Sequence, residues 1–402
     1  NSGVMKRLVL ASLFVVPVLC AVACGDDDVA LAPAPTADGG QDATTLPDAS
    51  VDAQTGPCAV AADTTYEDAD FAANSAPATA LLARFEALLD PMKKAELDLA
   101  IKPTASELQG LFTTAAPSLQ ANTSPAFAGY VTARLDAFAA AAGTTWVPAN
   151  PPTGSGGKYG AYSFDEKGGD LRQLAEKGMF GATHYRTAAQ LVANDAGTAA
   201  VVDQVITLFG ANPSWPRNDK TGDGGVAAPD RYSAVYAKRR DKGDAPTGLY
   251  VTMRRDAIVA RALSGKAECV TPRKESLERF MASWEKSLAA TSIYYLADAS
   301  KKFQTAASSG STTDFSSALH GYNEAVAFLR GFRGSDARHS IPDGTIDDIL
   351  GGLLAPPQGT TMSYLLITDT ASNVAKLEAA IPKIAAAYGF TAEQVTAFKV
   401  NY

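Results

Sequence analysis

An all-α fold follows from three features of the sequence. Ala-rich stretches with apolar residues three and four apart run through most of the chain after residue 76, strand-like alternation is nearly absent, and 46% hydrophobic content over 402 residues can supply a sizeable core. The first helix begins near Ala76 and lines up Leu81, Leu82, Phe85, Leu88 and Leu89 on one face until Pro91 interrupts or bends it. Val131, Leu135 and Phe138 mark a second, shorter helix. Residues 147–169, with the run VPANPPTGSGGKYG, form a long connection and the best internal boundary. Asp170 can then cap a helix through LRQLAEKGMFGATHYRTAAQLV, whose Gly178 and Gly181 cost helix stability and are explained by close helix packing. The chain is irregular again between Asn212 and Pro229. The longest periodic segment starts near Lys274, with Leu277, Met281, Trp284, Leu288, Thr291 and Tyr295 as the seam of a bundle helix and Glu275, Glu278 and Glu285 at its polar positions. Later helices are expected over 314–332, 345–354 and 372–388, while 249–253 and 363–367 are ambiguous between helix and strand.

The N-terminus carries an address. Lys6 and Arg7 precede an apolar run at 8–19, too short for an easy bilayer crossing and broken by Pro17, and Ala21-Val22-Ala23 lead into Cys24. Residues 1–24 read as a signal peptide and resemble the lipobox of bacterial lipoproteins, with Ala21 where leucine is more usual. The resemblance implies a lipid-modified Cys24 at the mature N-terminus and a place in the bacterial cell envelope, attached to a membrane through that lipid. An ordinary secretory signal is the other reading. Residues 25–63 are Asp, Ala, Pro, Thr and Gly with almost no large apolar side chains, the composition of a disordered tether. The helical domain is then 64–402.

Charge excludes one class of partner. The formal net charge is −8, but the stretch 25–83 holds acids and no Lys or Arg, leaving the body nearly neutral. No basic block is interleaved with aromatics, so nucleic acid is not an expected partner; a protein partner is left open. With Cys20 inside the signal and Cys24 lipidated, Cys58 and Cys269 remain, and in an exported chain they read as one disulfide or as two buried thiols. Closing so long a loop adds at most roughly 5 kcal/mol.

Three stretches together resemble a family of uncharacterised helical bacterial lipoproteins related to the imelysin-like proteins. They are Asp170 to Ala182 (DLRQLAEKGMFGA), Trp284 to Leu296 (WEKSLAATSIYYL) and His320 to Phe328 (HGYNEAVAF), in that order over about residues 160 to 350. The resemblance implies bundle-like helical halves, an envelope location, an association with iron uptake and a peptidase label carried by the imelysin relatives. The departures are Asn323 where Asp is expected and Gly321 where a second His is expected.

Candidate chemistry centres on few residues. His320 and Glu324, four apart, share one helix face, and small or apolar residues on two sides of that helix make it central. Such a pair can offer two ligands to iron or zinc, or can hold helix register as a polar pair inside a bundle. Glu176 and His184 differ by about 80° and two turns, so each could reach an ion only singly. His339, in GSDARHS, reads as a solvated surface histidine. Asp219, Thr221, Asp223 and Asp230 fall at positions 1, 3, 5 and 12 of a calcium-loop pattern with Gly224 at 6, although Pro213 and Pro216 deny it an entering helix and an ordinary turn explains it as well. GSGGKYG lacks the Ser or Thr of a phosphate loop, and there is neither a G-x-S-x-G elbow nor an H-E-x-x-H helix. The leading expectation is therefore a lipid-anchored, non-enzymatic protein that binds a metal ion or small ligand between helices. An imelysin-like metal-dependent hydrolase and a structural or protein-interaction lipoprotein are the alternatives.

Overall fold

The computed structural model describes residues 56–114, 116–215, 230–242, 247–337 and 339–402. Cys24, the tether up to residue 55, and the calcium-pattern residues Asp219, Thr221 and Asp223 lie outside this set. The structure is 66% helix and 2% strand.

Helix α1 (Phe71–Leu97) runs through both Pro77 and Pro91 instead of ending at the second. Its buried face continues from Leu88 and Leu89 to Met92 and Ala95, so packing holds the helix across a residue that removes one backbone hydrogen bond. Helix α2 (Ala105–Thr113) starts in a capping box of Thr104 and Glu107, and α3 (Leu119–Asn122) is a single turn. Helix α4 (Pro125–Ala141) buries Phe127, Val131, Leu135 and Phe138.

The stretch 147–169 is not all loop. Strands β1 (Gly157–Tyr159) and β2 (Tyr162–Phe164) form an antiparallel hairpin in which Tyr159 pairs with Tyr162. Helix α5 (Leu171–Met179) follows, capped by the Asp170 side chain on the Gln173 amide, and passes through a π-helical turn (Phe180–Tyr185) into α6 (Arg186–Ala193). Next come α7 (Ala199–Phe209), α8 (Tyr232–Arg240) and α9 (Leu249–Ala262), which makes 249–253 helical. Two long helices, α10 (Val270–Ser309) and α11 (Thr312–Arg330), occupy the centre. The chain ends with α12 (Asp343–Gly352), α13 (Leu365–Thr368), α14 (Thr370–Asn373), α15 (Ala375–Tyr388) and α16 (Ala392–Phe398), so 363–367 is a turn entering a short helix. No described helix is long and apolar enough to cross a membrane.

Every residue of α11 from Ala318 to Arg330 is buried, as is α10 from Ser287 to Ile293. Glu285, just before the second stretch, is itself fully buried, which overturns its reading as a polar surface position. Its carboxylate accepts the Ser340 amide at 2.8 and 2.9 Å and the Tyr388 hydroxyl at 3.1 Å, tying α10 to the loop before α12 and to α15. One apolar core runs from Tyr66 to Phe398 and draws residues from both sides of 147–169, so that segment divides no two cores. Cys58 and Cys269 are joined by a disulfide, and beside it Arg255 donates to the Val60 and Ala61 carbonyls, fastening the start of the body to α9 and α10.

Helices α5 and α11 meet backbone to backbone. A Cβ on Gly331 would lie 2.2 Å from the Gly178 carbonyl oxygen, and one on Gly178 would lie 2.1 Å from the Phe127 ring. Glycine is required at both positions by space alone. Gly331→Ala should therefore lower unfolding free energy in urea by about 3 kcal/mol. Gly351→Ala, exposed on α12 with nothing within 4 Å, should leave it unchanged or raise it by up to about 1 kcal/mol.

Candidate functional site

The α5–α11 contact carries a cluster of buried charges, and most of it comes from the stretches singled out in the sequence. His320 and Glu324 project from α11 toward α5. A carboxylate can only accept, so the 2.9 Å contact between Asp170 Oδ2 and His320 Nδ1 places the proton on Nδ1 and turns Nε2 toward Glu324 Oε1, 3.9 Å away. Asp170, read from sequence as a helix cap, thus has two roles: one oxygen caps α5 and the other orients His320. The Tyr162 ring from β2 stacks on the imidazole, 3.7 Å between centroids and 12° from parallel. At the hairpin turn Gly160 has φ +62°, and a Cβ there would collide with Ser316 of α11, so the hairpin lies directly on that helix.

Lysine 177 stands at the middle of the cluster. Its ammonium is 3.1 Å from Glu176 Oε1 and 3.4 Å from Glu324 Oε1, and it lies over the rings of Phe180 and Tyr236. Arg172 pairs with Glu176 and, at 2.6 Å, with Glu96 from α1. The Lys158 ammonium of β1 bonds the Glu96 carbonyl oxygen at 2.6 Å. Burial pushes the Glu176 carboxyl up, but Lys177 and Arg172 outweigh it and hold the group down at about 2. Burial raises Glu96 and the neighbouring Asp170 charge adds to this, against the pull of Arg172. Each carboxylate of the cluster therefore faces a positively charged or proton-donating group supplied by the chain itself.

The donor set does not fit iron or zinc. Such an ion takes three or four N, O or S donors within roughly 2.0–2.3 Å. His320 Nε2 and Glu324 Oε1 supply two, and the Lys177 ammonium beside the same Oε1 would repel a dication. Among the described residues no three His, Cys, Asp or Glu side chains gather as a metal group. Of the calcium-pattern residues only Asp230 is described. It is buried, accepting the Asn212 amide at 2.7 Å and the Tyr250 hydroxyl at 2.5 Å, and pairing with Lys238 at 3.1 Å.

Glu176 and His184 are not brought together. Glu176 belongs to the charge cluster, whereas the π-helical turn carries His184 into an aromatic enclosure of Phe85, Phe180 and Tyr232, at ring separations of 4.7, 5.4 and 5.4 Å. Both His184 ring nitrogens are buried and have no hydrogen-bond partner among the described residues. His339 also departs from expectation: it is half-buried, with Nδ1 enclosed and its ring 6.2 Å from Phe332. The sequence reading missed Arg172, Lys177, Glu96 and Tyr162. The spacing of Arg172 and Glu176 by four was the available signal for Arg172; nothing local marks Lys177, Glu96 or Tyr162.

Compared with protein-family models, curated proteins and solved structures, the chain matches none.

Burial alone drives the His184 pKa down to about 3. The unfolded chain takes up a proton near pH 6.5 that the folded chain refuses, so this residue's contribution is complete above pH 6.5 and is lost as pH falls toward 3. Between pH 7.5 and 5 that loss is about 2 kcal/mol. His184→Leu should flatten the pH dependence of unfolding free energy by that amount over this range, measured by urea denaturation at each pH. Unchanged pH dependence would show that His184 titrates normally in the folded state.

Proposed function

We propose that this chain is the helical body of a lipid-anchored bacterial envelope protein, imelysin-like in kind, that binds a small ligand without converting it. The anchor reading rests on the small residues leading to Cys24 and the acidic, Pro- and Ala-rich stretch behind it. The imelysin-like reading draws support from the meeting of two of its three motif stretches, on α5 and α11, in one buried cluster.

A single observation favours binding over turnover: the only histidine–carboxylate cluster among the described residues is closed on itself. A general base or an open metal site needs a lone pair or a coordination position facing substrate. Here His320 is packed against Tyr162 and Asp170, Glu324 is fully buried, and Lys177 occupies the space between Glu176 and Glu324. The cluster acts as architecture that fixes α5 against α11, and ligand binding belongs elsewhere on the body.

Protein extracted from membranes tests both halves of this reading. Mass spectrometry should find diacylglyceryl-modified Cys24 at the mature N-terminus. Calorimetric titration of the same material with iron(II) and with zinc should give no saturable heat, while His320→Ala and Glu324→Ala lower stability by about 3 kcal/mol each because they strand buried partners. One-to-one metal binding by wild type that both variants abolish would overturn this reading and make His320 and Glu324 a metal site.

A further inference from the structure

Away from the charge cluster, α4, the C-terminal end of α11 and the loop after α12 enclose a pocket of about 170 Å³. Its lining includes Phe127, Tyr130, Arg330, Arg333, Pro357 and Gln358. Arg333 is neutralised, donating to Asp347 through Nε at 2.6 Å and Nη2 at 3.1 Å. Arg330 is different. It is only 7% exposed, yet among the described residues no carboxylate lies within ion-pair distance of it. Its Nη2 donates to the Ala355 carbonyl oxygen at 2.7 Å, its guanidinium lies 4.7 Å from the Tyr130 ring centroid, and its Nε has no hydrogen-bond partner.

A guanidinium removed from water without a counter-charge is costly, since one carbonyl and one ring offset only part of the lost hydration. Asp347 feels the charge of Arg330, but both of its oxygens are bonded to Arg333. A carboxylate bonded to Arg330 itself would sit in the pocket that Arg330 lines. We propose that this pocket binds a small organic monocarboxylate carrying a flat apolar group. One guanidinium with no bonded carboxylate among the described residues suits one negative charge, and its planar donors match a carboxylate. Tyr130 fixes the guanidinium plane, while Phe127 and Pro357 offer an apolar wall to the rest of the ligand. The volume suits a single-ring acid and is well below that of sites for drug-sized ligands. A phosphate dianion would bring more charge than Arg330 balances and would leave the apolar wall unused.

Benzoate is the probe, titrated into the full chain by calorimetry, with benzamide and inorganic phosphate as the uncharged and dianionic comparisons. Saturable one-to-one binding of benzoate is expected, with benzamide and phosphate each at least tenfold weaker. Arg330→Met should weaken benzoate at least tenfold. Tyr130→Leu, which leaves the guanidinium in place and alters a half-buried side chain, should weaken it by about threefold to tenfold, and circular dichroism should show both variants folded. Absence of benzoate binding to wild type, equal affinity in wild type and Tyr130→Leu, or tighter binding of phosphate than of benzoate would each overturn the proposal. Because no metal and no residue of the α5–α11 cluster takes part, failure here leaves the reading of that cluster standing.

Discussion

The ammonium of Lys177 is the constraint around which the centre of this protein is arranged. Gly178 and Gly331 let α5 and α11 touch through their backbones, which carries the neighbouring Lys177 into a region with almost no access to water. A buried cation is tolerable only with negative partners, and Glu176 and Glu324 supply them. Glu176 in turn needs Arg172, Arg172 is held also by Glu96 of α1, and the β-hairpin closes the assembly through Lys158 and Tyr162. A single charge forced inside by helix packing thereby recruits side chains from four separate segments.

The separation of roles follows from where charge is balanced and where it is not. In the central cluster the chain provides its own counter-ions, which joins α5, α11 and α1 through paired charges. At Arg330 no carboxylate among the described residues forms an ion pair, and the space beside it is a pocket. Two of the three histidines illustrate the same distinction. His320 is oriented by Asp170, whereas His184 is kept neutral by an apolar enclosure and contributes shape without a hydrogen bond.

Much of the helical architecture was legible because its signals are local. The seam Leu277, Met281, Trp284, Leu288 and Tyr295 reads directly as a bundle helix, and the Gly178 and Gly181 spacing reads as close packing. The helix persisting through Pro91 was not legible, because long-range packing of Met92 and Ala95 decides it. The hairpin at 157–164 was hidden in a run of Gly, Pro and Ser, and three-residue strands are too short to display alternation. Of the site, the pairing of His320 with Glu324 could be placed on one face from spacing alone. That Lys177 sits beside Glu324 depends on how two helices 150 residues apart in sequence are brought together, which no local pattern encodes.

A double-mutant cycle on Lys177 and Glu324 tests this account most directly. Lys177→Met and Glu324→Gln should each cost about 3 kcal/mol in urea denaturation, since each leaves a buried partner less well compensated. The double variant should be less destabilised than the sum of the two by about 2 kcal/mol, the signature of groups that matter chiefly to each other. Additivity within about 0.5 kcal/mol would contradict the central claim and show that the cluster is not held together by its internal charge balance.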